Sequence, residues 1–366
     1  MLSKKKKFSG KKFLKVLLTT IGIFLGIIIV AGGLFIYNNL NYYKAPMRAV
    51  WKAGFQEKQA ILPDGSVMNY GEGGRGIPLM LIHGQGVSWE DYMDVLPQLS
   101  KYYHIYAVDC YGHGQSSSNP EKYTAKAIGA DFIWFIENVI REPAVVSGHS
   151  SGGLLTAWLG ANSPENVKGV VLEDPPFFSC EAERTEKSFA WLDSFVPAHN
   201  FLNQSVTDDY PLYYLENCKW ITYFGNGREG IINYAKGYRK KHTDEPLKFF
   251  YLPPSITRMF YFLDGYDPKF GNAFYDCTWM EDFDHAETIA KIKCPSILIH
   301  TNWSYDAEGV LLAAMSGDDA KKACSLIDGC KLINIKSGHD SHAEKPKEFI
   351  MILIGFLDDD FDNMVF

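Results

Sequence analysis

Ala144-Val145-Val146-Ser147-Gly148-His149-Ser150-Ser151-Gly152-Gly153-Leu154-Leu155 is the stretch on which the fold turns. Its first residues are a short apolar run, its centre is Gly-x-Ser-x-Gly, and its end begins helical spacing with Leu154, Leu155, Ala157, Trp158 and Leu159. A strand that bends sharply into a helix at a serine needs small flanking residues, because side chains at 148 and 152 would collide across the bend. The serine hydroxyl then stands above the sheet, and the free N–H groups of the following helix point at any negative charge that develops there. Read alone, the pentapeptide is equally a helix cap at Ser150. The residues around it decide between the two.

Working outward, apolar runs alternate with helical stretches. Residues 77–82 form one run, closing on His83-Gly84-Gln85-Gly86, and 103–108 another, closing on Asp109. Residues 127–140 have helical spacing, and 167–172 are a further strand ending in Glu173-Asp174-Pro175-Pro176. A hairpin signal, Asp64-Gly65, joins two shorter runs within 58–70. From 177 to 290 the pattern breaks into a segment rich in Trp, Tyr, Phe and Pro, and it resumes with a strand at 296–300, a helix at 311–326, a strand at 331–335 and a helix at 346–357. The alternation predicts an α/β fold with a mostly parallel sheet covered on both faces, interrupted by an inserted cap.

The order of polar residues predicts a nucleophilic site. Ser150 is the candidate nucleophile. His339, in Ser337-Gly338-His339-Asp340 after a strand, is the candidate base, with His342 as its rival. His83 and His149 are expected as structural neighbours. An acid between the serine and the histidine would orient the imidazole. Asp306, with Glu308 close by, is the expected acid, and Asp174 is the alternative position. Backbone N–H groups of Gln85 and Ser151 are the expected oxyanion donors. Neither a metal nor an organic cofactor is called for.

The chain resembles the α/β-hydrolase superfamily from about Gln59 to Leu357. The likeness is carried by His83-Gly84-Gln85-Gly86, by Asp109 with Gly112-His113-Gly114-Gln115-Ser116, by 148–153, and by Gly338-His339 followed by Glu344 and Pro346. The resemblance implies an eight-stranded, mostly parallel sheet with a lid between the sixth and seventh strands. By the same likeness Asp109 and the Gly112-His113-Gly114 turn are structural. Ser150 sets the chain apart from members that use an aspartate nucleophile. One departure is the stretch 301–309, which lacks the Gly-x-x-Asp form usual after the seventh strand.

The amino-terminal part reads differently. Seven lysines (Lys4, Lys5, Lys6, Lys7, Lys11, Lys12 and Lys15) precede 22 uncharged residues at 16–37. Without those lysines, 29 basic residues face 43 acidic ones, a balance of about −14 in a chain whose total is −7. Such a body repels nucleic acid. The run spans roughly the 30 Å hydrocarbon layer as a helix and is longer than the apolar core of a cleaved signal. It predicts one uncleaved transmembrane helix, with the amino terminus cytoplasmic and the catalytic body extracytoplasmic at the cell membrane. The expected organisation is a basic stretch at 1–15, an anchor at 16–37, a connector at 38–57, the core at 58–176 and 291–366, and the cap at 177–290. Seven cysteines without a C-x-x-C favour buried thiols, with Cys180–Cys218 or Cys324–Cys330 as possible pairs. The expected chemistry is hydrolysis of an ester, thioester or amide through an acyl-serine, on a small-molecule ester or lipid-like substrate. A non-catalytic surface receptor or adhesion module on the same fold is the alternative.

Overall fold

Short runs, apolar at the centre of the sheet and polar at one edge, become eight strands of one sheet in the computed structural model, which describes residues 10–356. They are β1 Gln56–Ile61, β2 Val67–Gly74, β3 Ile77–Ile82, β4 Tyr103–Val108, β5 Ala144–His149, β6 Val167–Glu173, β7 Ser296–His300 and β8 Lys331–Asn334. The spatial order is β1-β2-β4-β3-β5-β6-β7-β8. β1 with β2 and β2 with β4 are antiparallel, and the remaining pairs are parallel, with Leu79 opposite Val145 and Val170 opposite Ser296.

Successive side chains on a strand point to opposite faces. Met80, Ile82, Val146 and Leu172 therefore enter one apolar core with Leu154 and Leu155, while Leu79, Leu81, Val145 and Val171 enter the other with Trp89 and Phe349. Full burial of each such side chain contributes roughly 1.5–3 kcal/mol. Double-sided burial is the reason these strands show no polar alternation. Between β6 and β7 the chain forms short helices and loops and adds no strand to the sheet. This segment is tied to the loop after β3, where Gln85 Nε2 donates to Ser194 Oγ at 2.8 Å and to Tyr266 OH at 2.7 Å.

The helix α1, Gly10–Asn41, runs beyond both ends of the 22-residue apolar run, is long and apolar enough to cross a membrane, and exposes Ile21, Phe24 and Ile29. Residues 38–57 are not the plain connector that their polarity suggested. They contain α2, Lys44–Lys52, whose Met47 and Val50 are buried three residues apart on one face. Helix formation near the cap segment also starts later than the spacing predicted. Leu311 is bridged to Ser188 and Tyr305, and the helix Gly317–Leu326 begins only after Ser316, which forms a reciprocal capping box with Asp319. All seven cysteines are free thiols, and Cys324 Sγ donates to the Cys330 carbonyl at 3.2 Å. Lys4 to Lys7 and the acidic carboxyl end from 357 onward lie outside the described residues.

Candidate active site

β5 ends at His149 and the helix Ser151–Asn162 starts two residues later, so Ser150 takes the whole change of direction. Its φ of 55° and ψ of −120° lie where a non-glycine residue is strained by roughly 1–3 kcal/mol. Neighbouring bonds hold it there. Ser150 N–H donates to the Glu173 carbonyl at 2.9 Å, and the N–H groups of Gly153 and Leu154 donate to the Ser150 carbonyl at 2.9 and 3.2 Å. A Cβ at Gly148 would run into the Gly152 backbone, and one at Gly152 into the Ile82 carbonyl. Only glycine fits at either end of this bend.

His339 lies in the loop after β8, and its Nδ1 is 2.8 Å from Asp174 Oδ2. Asp174 follows β6 directly, is fully buried, and has φ of 42°. The same Oδ2 accepts from Thr301 Oγ1 at 2.8 Å, while Oδ1 faces His300 Nδ1 at 3.3 Å and the Thr301 N–H at 3.4 Å. Burial opposes ionisation of Asp174, but the bonds from His300, His339 and Thr301 outweigh it and hold the carboxyl well below its ordinary range. Burial likewise disfavours the charged His339, yet its bond to Asp174 prevails and lifts the imidazole to about 8.

Asp306 is not brought to His339, which corrects the expectation drawn from chain order. Its Oδ1 accepts the N–H groups of Glu308 and Val310, both at 2.9 Å, and so closes its own exposed loop. Those local bonds occupy the carboxylate. The strand-end position after β7 supplies His300 and Thr301 as partners for the acid instead. No local signal in the sequence marks those two residues as such.

Ser150, Ser151, Gln85 and His339 all line one cavity of about 370 Å³ beneath the segment between β6 and β7. Its other walls include Phe189, Phe195, Met259, Phe274 and Leu312. Gly84 packs against the bend, and a Cβ there would lie 2.8 Å from His149 Nδ1 and 3.1 Å from Ser150 Cβ. Gly86 N–H is engaged by His113 Nε2 at 3.0 Å, which fixes the far side of the Gln85 turn.

Comparison with known proteins agrees with this architecture. The profile of the family described as alpha/beta hydrolase fold matches residues 77–216. An (E)-2-((N-methylformamido)methylene)succinate hydrolase of Acinetobacter baylyi is 29% identical over 199 residues, 50% of this chain and 74% of that protein. A solved hydrolase from Pseudomonas aeruginosa superposes with a TM-score of 0.61 at 19% identity, covering 84% of this chain and 99% of the other. A bacterial membrane phospholipase A superposes at 0.57 and 17% identity, covering 97% and 100%. The chain belongs to the α/β-hydrolase superfamily.

Behind the cavity of this hydrolase lies a second polar group, and it accounts for His342. His342 Nδ1 is 3.0 Å from both Glu173 oxygens, and its Nε2 is 3.0 Å from Asp91 Oδ2. Asp91 Oδ1 accepts from Arg258 Nε at 2.7 Å, and Arg258 Nη1 donates to Asp94 Oδ2 at 2.6 Å. Ser341 Oγ and the His342 N–H also donate to Glu173, at 2.6 and 2.8 Å. The chain Arg258–Asp91–His342–Glu173 therefore runs from the segment between β6 and β7 to the residue beside Asp174. Burial disfavours a charged His342, but Glu173 and Asp91 overcome it and raise the ring to about 10. Asp91, His149 and His342 also offer ligand atoms within 4.8 Å of one another. Arg258 and His342 already satisfy Asp91 there, so a metal ion would have to displace cations in place.

Proposed function

We propose that this hydrolase cleaves a carboxylic ester through an acyl-serine intermediate, with Ser150 as nucleophile, His339 as base and then acid, and Asp174 as the orienting acid. The observation that carries the reading is the His339–Asp174 contact of 2.8 Å beside a cavity that His339 and the strained Ser150 both line. His339 takes the hydroxyl proton as Ser150 attacks the carbonyl carbon, and returns it to the leaving alkoxide. Asp174 fixes the Nδ1–H tautomer and offsets the charge of the imidazolium. The N–H groups of Ser151 and Gln85 receive the oxyanion. Water then repeats the sequence on the acyl-serine and frees the acid.

The apolar walls favour an apolar acyl group or a lipid-like ester over a charged one. The length and apolar surface of α1 support a single-pass anchor at the cell membrane, with the amino terminus cytoplasmic and the body extracytoplasmic. A fluorophosphonate probe is expected to label the folded chain at Ser150, and turnover of p-nitrophenyl esters is expected to disappear in Ser150→Ala. An unlabelled Ser150, or a Ser150→Ala variant with undiminished turnover, refutes the assignment.

A further inference from the structure

α2 begins three residues after α1 ends, and this short distance fixes its depth if α1 spans a bilayer. The apolar run closes at Tyr37, and the helix rises about 6 Å from there to Asn41 at 1.5 Å per residue. The headgroup layer on each side of a bilayer is roughly 5–8 Å thick. α2 thus starts at headgroup level.

Its sequence suits that place. Met47 and Val50 are buried against the core that holds Trp89, Tyr92 and Met93. Lys44, Arg48 and Lys52, spaced four apart, stand exposed on another face. Trp51 is 44% exposed, and its ring lies 5.7 Å from Trp89. The three cations form no ion pair with a carboxylate among the described residues. The neighbouring acids Asp91 and Asp94 are taken by Arg258. A body of about −14 therefore turns an unpaired basic stripe and an interfacial tryptophan toward the one surface that α1 brings close.

The same junction touches the cavity wall. Asn39 Nδ2 donates to the Phe250 carbonyl at 3.0 Å, Tyr42 OH donates to the Arg258 carbonyl at 3.2 Å, and the Tyr43 and Tyr261 rings are 4.5 Å apart. Met259, within that stretch, lines the cavity. Seating α2 on the bilayer therefore holds the Met259 wall of the cavity beside the lipid.

We infer that α2 binds anionic phospholipid headgroups through Lys44, Arg48 and Lys52, and so seats the cavity wall against the membrane from which an ester substrate is drawn. This rests on the anchor reading of α1. A basic residue at an anionic surface strengthens binding about fivefold.

The test uses the full chain with vesicles of phosphatidylcholine alone, or of phosphatidylcholine with a minority of phosphatidylglycerol, each doped with a headgroup-nitroxide lipid. The emission lost on Trp51→Phe isolates the Trp51 signal, and flotation reports membrane insertion. The chain should float with both vesicle types. Trp51 quenching should be stronger with phosphatidylglycerol, and that contrast should vanish in high salt and in the Lys44→Glu/Arg48→Glu/Lys52→Glu variant. The Lys44→Gln/Arg48→Gln/Lys52→Gln variant gives an intermediate contrast, and short-ester turnover in both variants should match the parent. The salt titration needs only Trp51→Phe, a change at an exposed position, so a misfolded charge variant leaves the test intact. Flotation with equal quenching in both vesicle types, or a contrast that survives salt, overturns the headgroup assignment alone. A chain that does not float removes the anchor reading and the inference together.

Discussion

Replacing Asp174 by asparagine tests the site at its most discriminating point, because it sets the proposed acid, bonded to His339, against the acid favoured by chain order. The amide is nearly isosteric with the carboxylate, so the buried packing survives, but the charge is gone. The first consequence is on the imidazole. Asp174, with lesser contributions from Asp340 and Glu173, lifts His339 from an ordinary 6.5 to about 8, which corresponds to about 2 kcal/mol of preference for the imidazolium. That figure is an upper value, since the His339 side chain is 38% exposed and solvent screens part of it. The second consequence is larger. With two donors already pointing at the site, from Thr301 and His300, the amide is pressed to offer its NH₂ to Nδ1. The ring proton then moves to Nε2, and the nitrogen required as the base is blocked.

Loss of the correct tautomer in a serine triad lowers kcat by about 10⁴-fold, or roughly 5 kcal/mol in the barrier. Asp174→Asn is therefore expected to lose about 10³- to 10⁴-fold in kcat on a p-nitrophenyl ester, with KM little changed. Asp306→Asn, which disturbs only its own loop, is expected to stay within about twofold, the range of a surface change. Steady-state kinetics on the two purified variants, with thermal melts to confirm folding, is the assay. A mild Asp174→Asn beside a crippled Asp306→Asn refutes the reasoning.

Three further outcomes follow from the same contacts. Gly84→Ala places a methyl 2.8 Å from His149 Nδ1 and 3.1 Å from Ser150 Cβ; kcat should fall by at least about tenfold, the loss of one poorly placed oxyanion donor, and unchanged kinetics in a folded variant would sink the Gln85 assignment. Arg258→Met leaves Asp91 and Asp94 without their buried cation, which is expected to destabilise by about 3–5 kcal/mol. Calorimetry should show Tm lowered by on the order of 10 °C, with part of the loss recovered when Asp91→Asn is added. The pH dependence of kcat/KM should rise to a plateau through a pKa of about 8, as His339 loses its proton and becomes a base; a profile flat across that pKa contradicts the His339 role.

The sheet was legible because its parallel strands must be apolar throughout. The runs at 77–82, 103–108 and 296–300 coincide with β3, β4 and β7, since burial on both faces leaves no alternation to misread. The bend at Ser150 was legible because the two glycines that bound it are sterically compelled. α2 was not, because two buried residues in nine, among lysines and an arginine, do not stand out as a helical face until Trp89 and Tyr92 are packed beneath them. The acid escaped for a different reason. Asp306 and Asp174 both follow strands and both precede His339, so chain order cannot rank them. What ranks them is the side chains arriving from β7, His300 and Thr301, and partners brought in from more than a hundred residues away leave no mark near Asp174. Arg258 is hidden in the same way, 167 residues from Asp91.

The rivalry between His339 and His342 has its physical answer in the consecutive acids Glu173 and Asp174. The two acids take different partners: Asp174 meets His339 at 2.8 Å, while Glu173, the last residue of β6, meets His342 at 3.0 Å. Asp174, with lesser help from Asp340 and Glu173, raises the half-exposed His339 to about 8; Glu173 and Asp91, both bonded to the ring, raise the buried His342 to about 10. The first value lets an imidazole exchange a proton near neutral pH, and the second keeps its neighbour cationic and structural. Their pH signatures must then oppose each other. The stability from His342 is complete below its unfolded value of about 6.5 and is lost as pH rises through about 10. That from Asp91 and Glu173, both held below their ordinary range by the cations beside them despite burial, is present above about pH 4 and lost in acid. Between about pH 7 and 9 the hydrolase should therefore gain kcat/KM while its unfolding free energy declines. Denaturant melts across that range are expected to show the decline, and His342→Gln to flatten it while leaving the kinetic pKa near 8. A kinetic pKa that moves with His342→Gln, and a stability slope that does not, would mean that the two rings had been assigned the wrong way round.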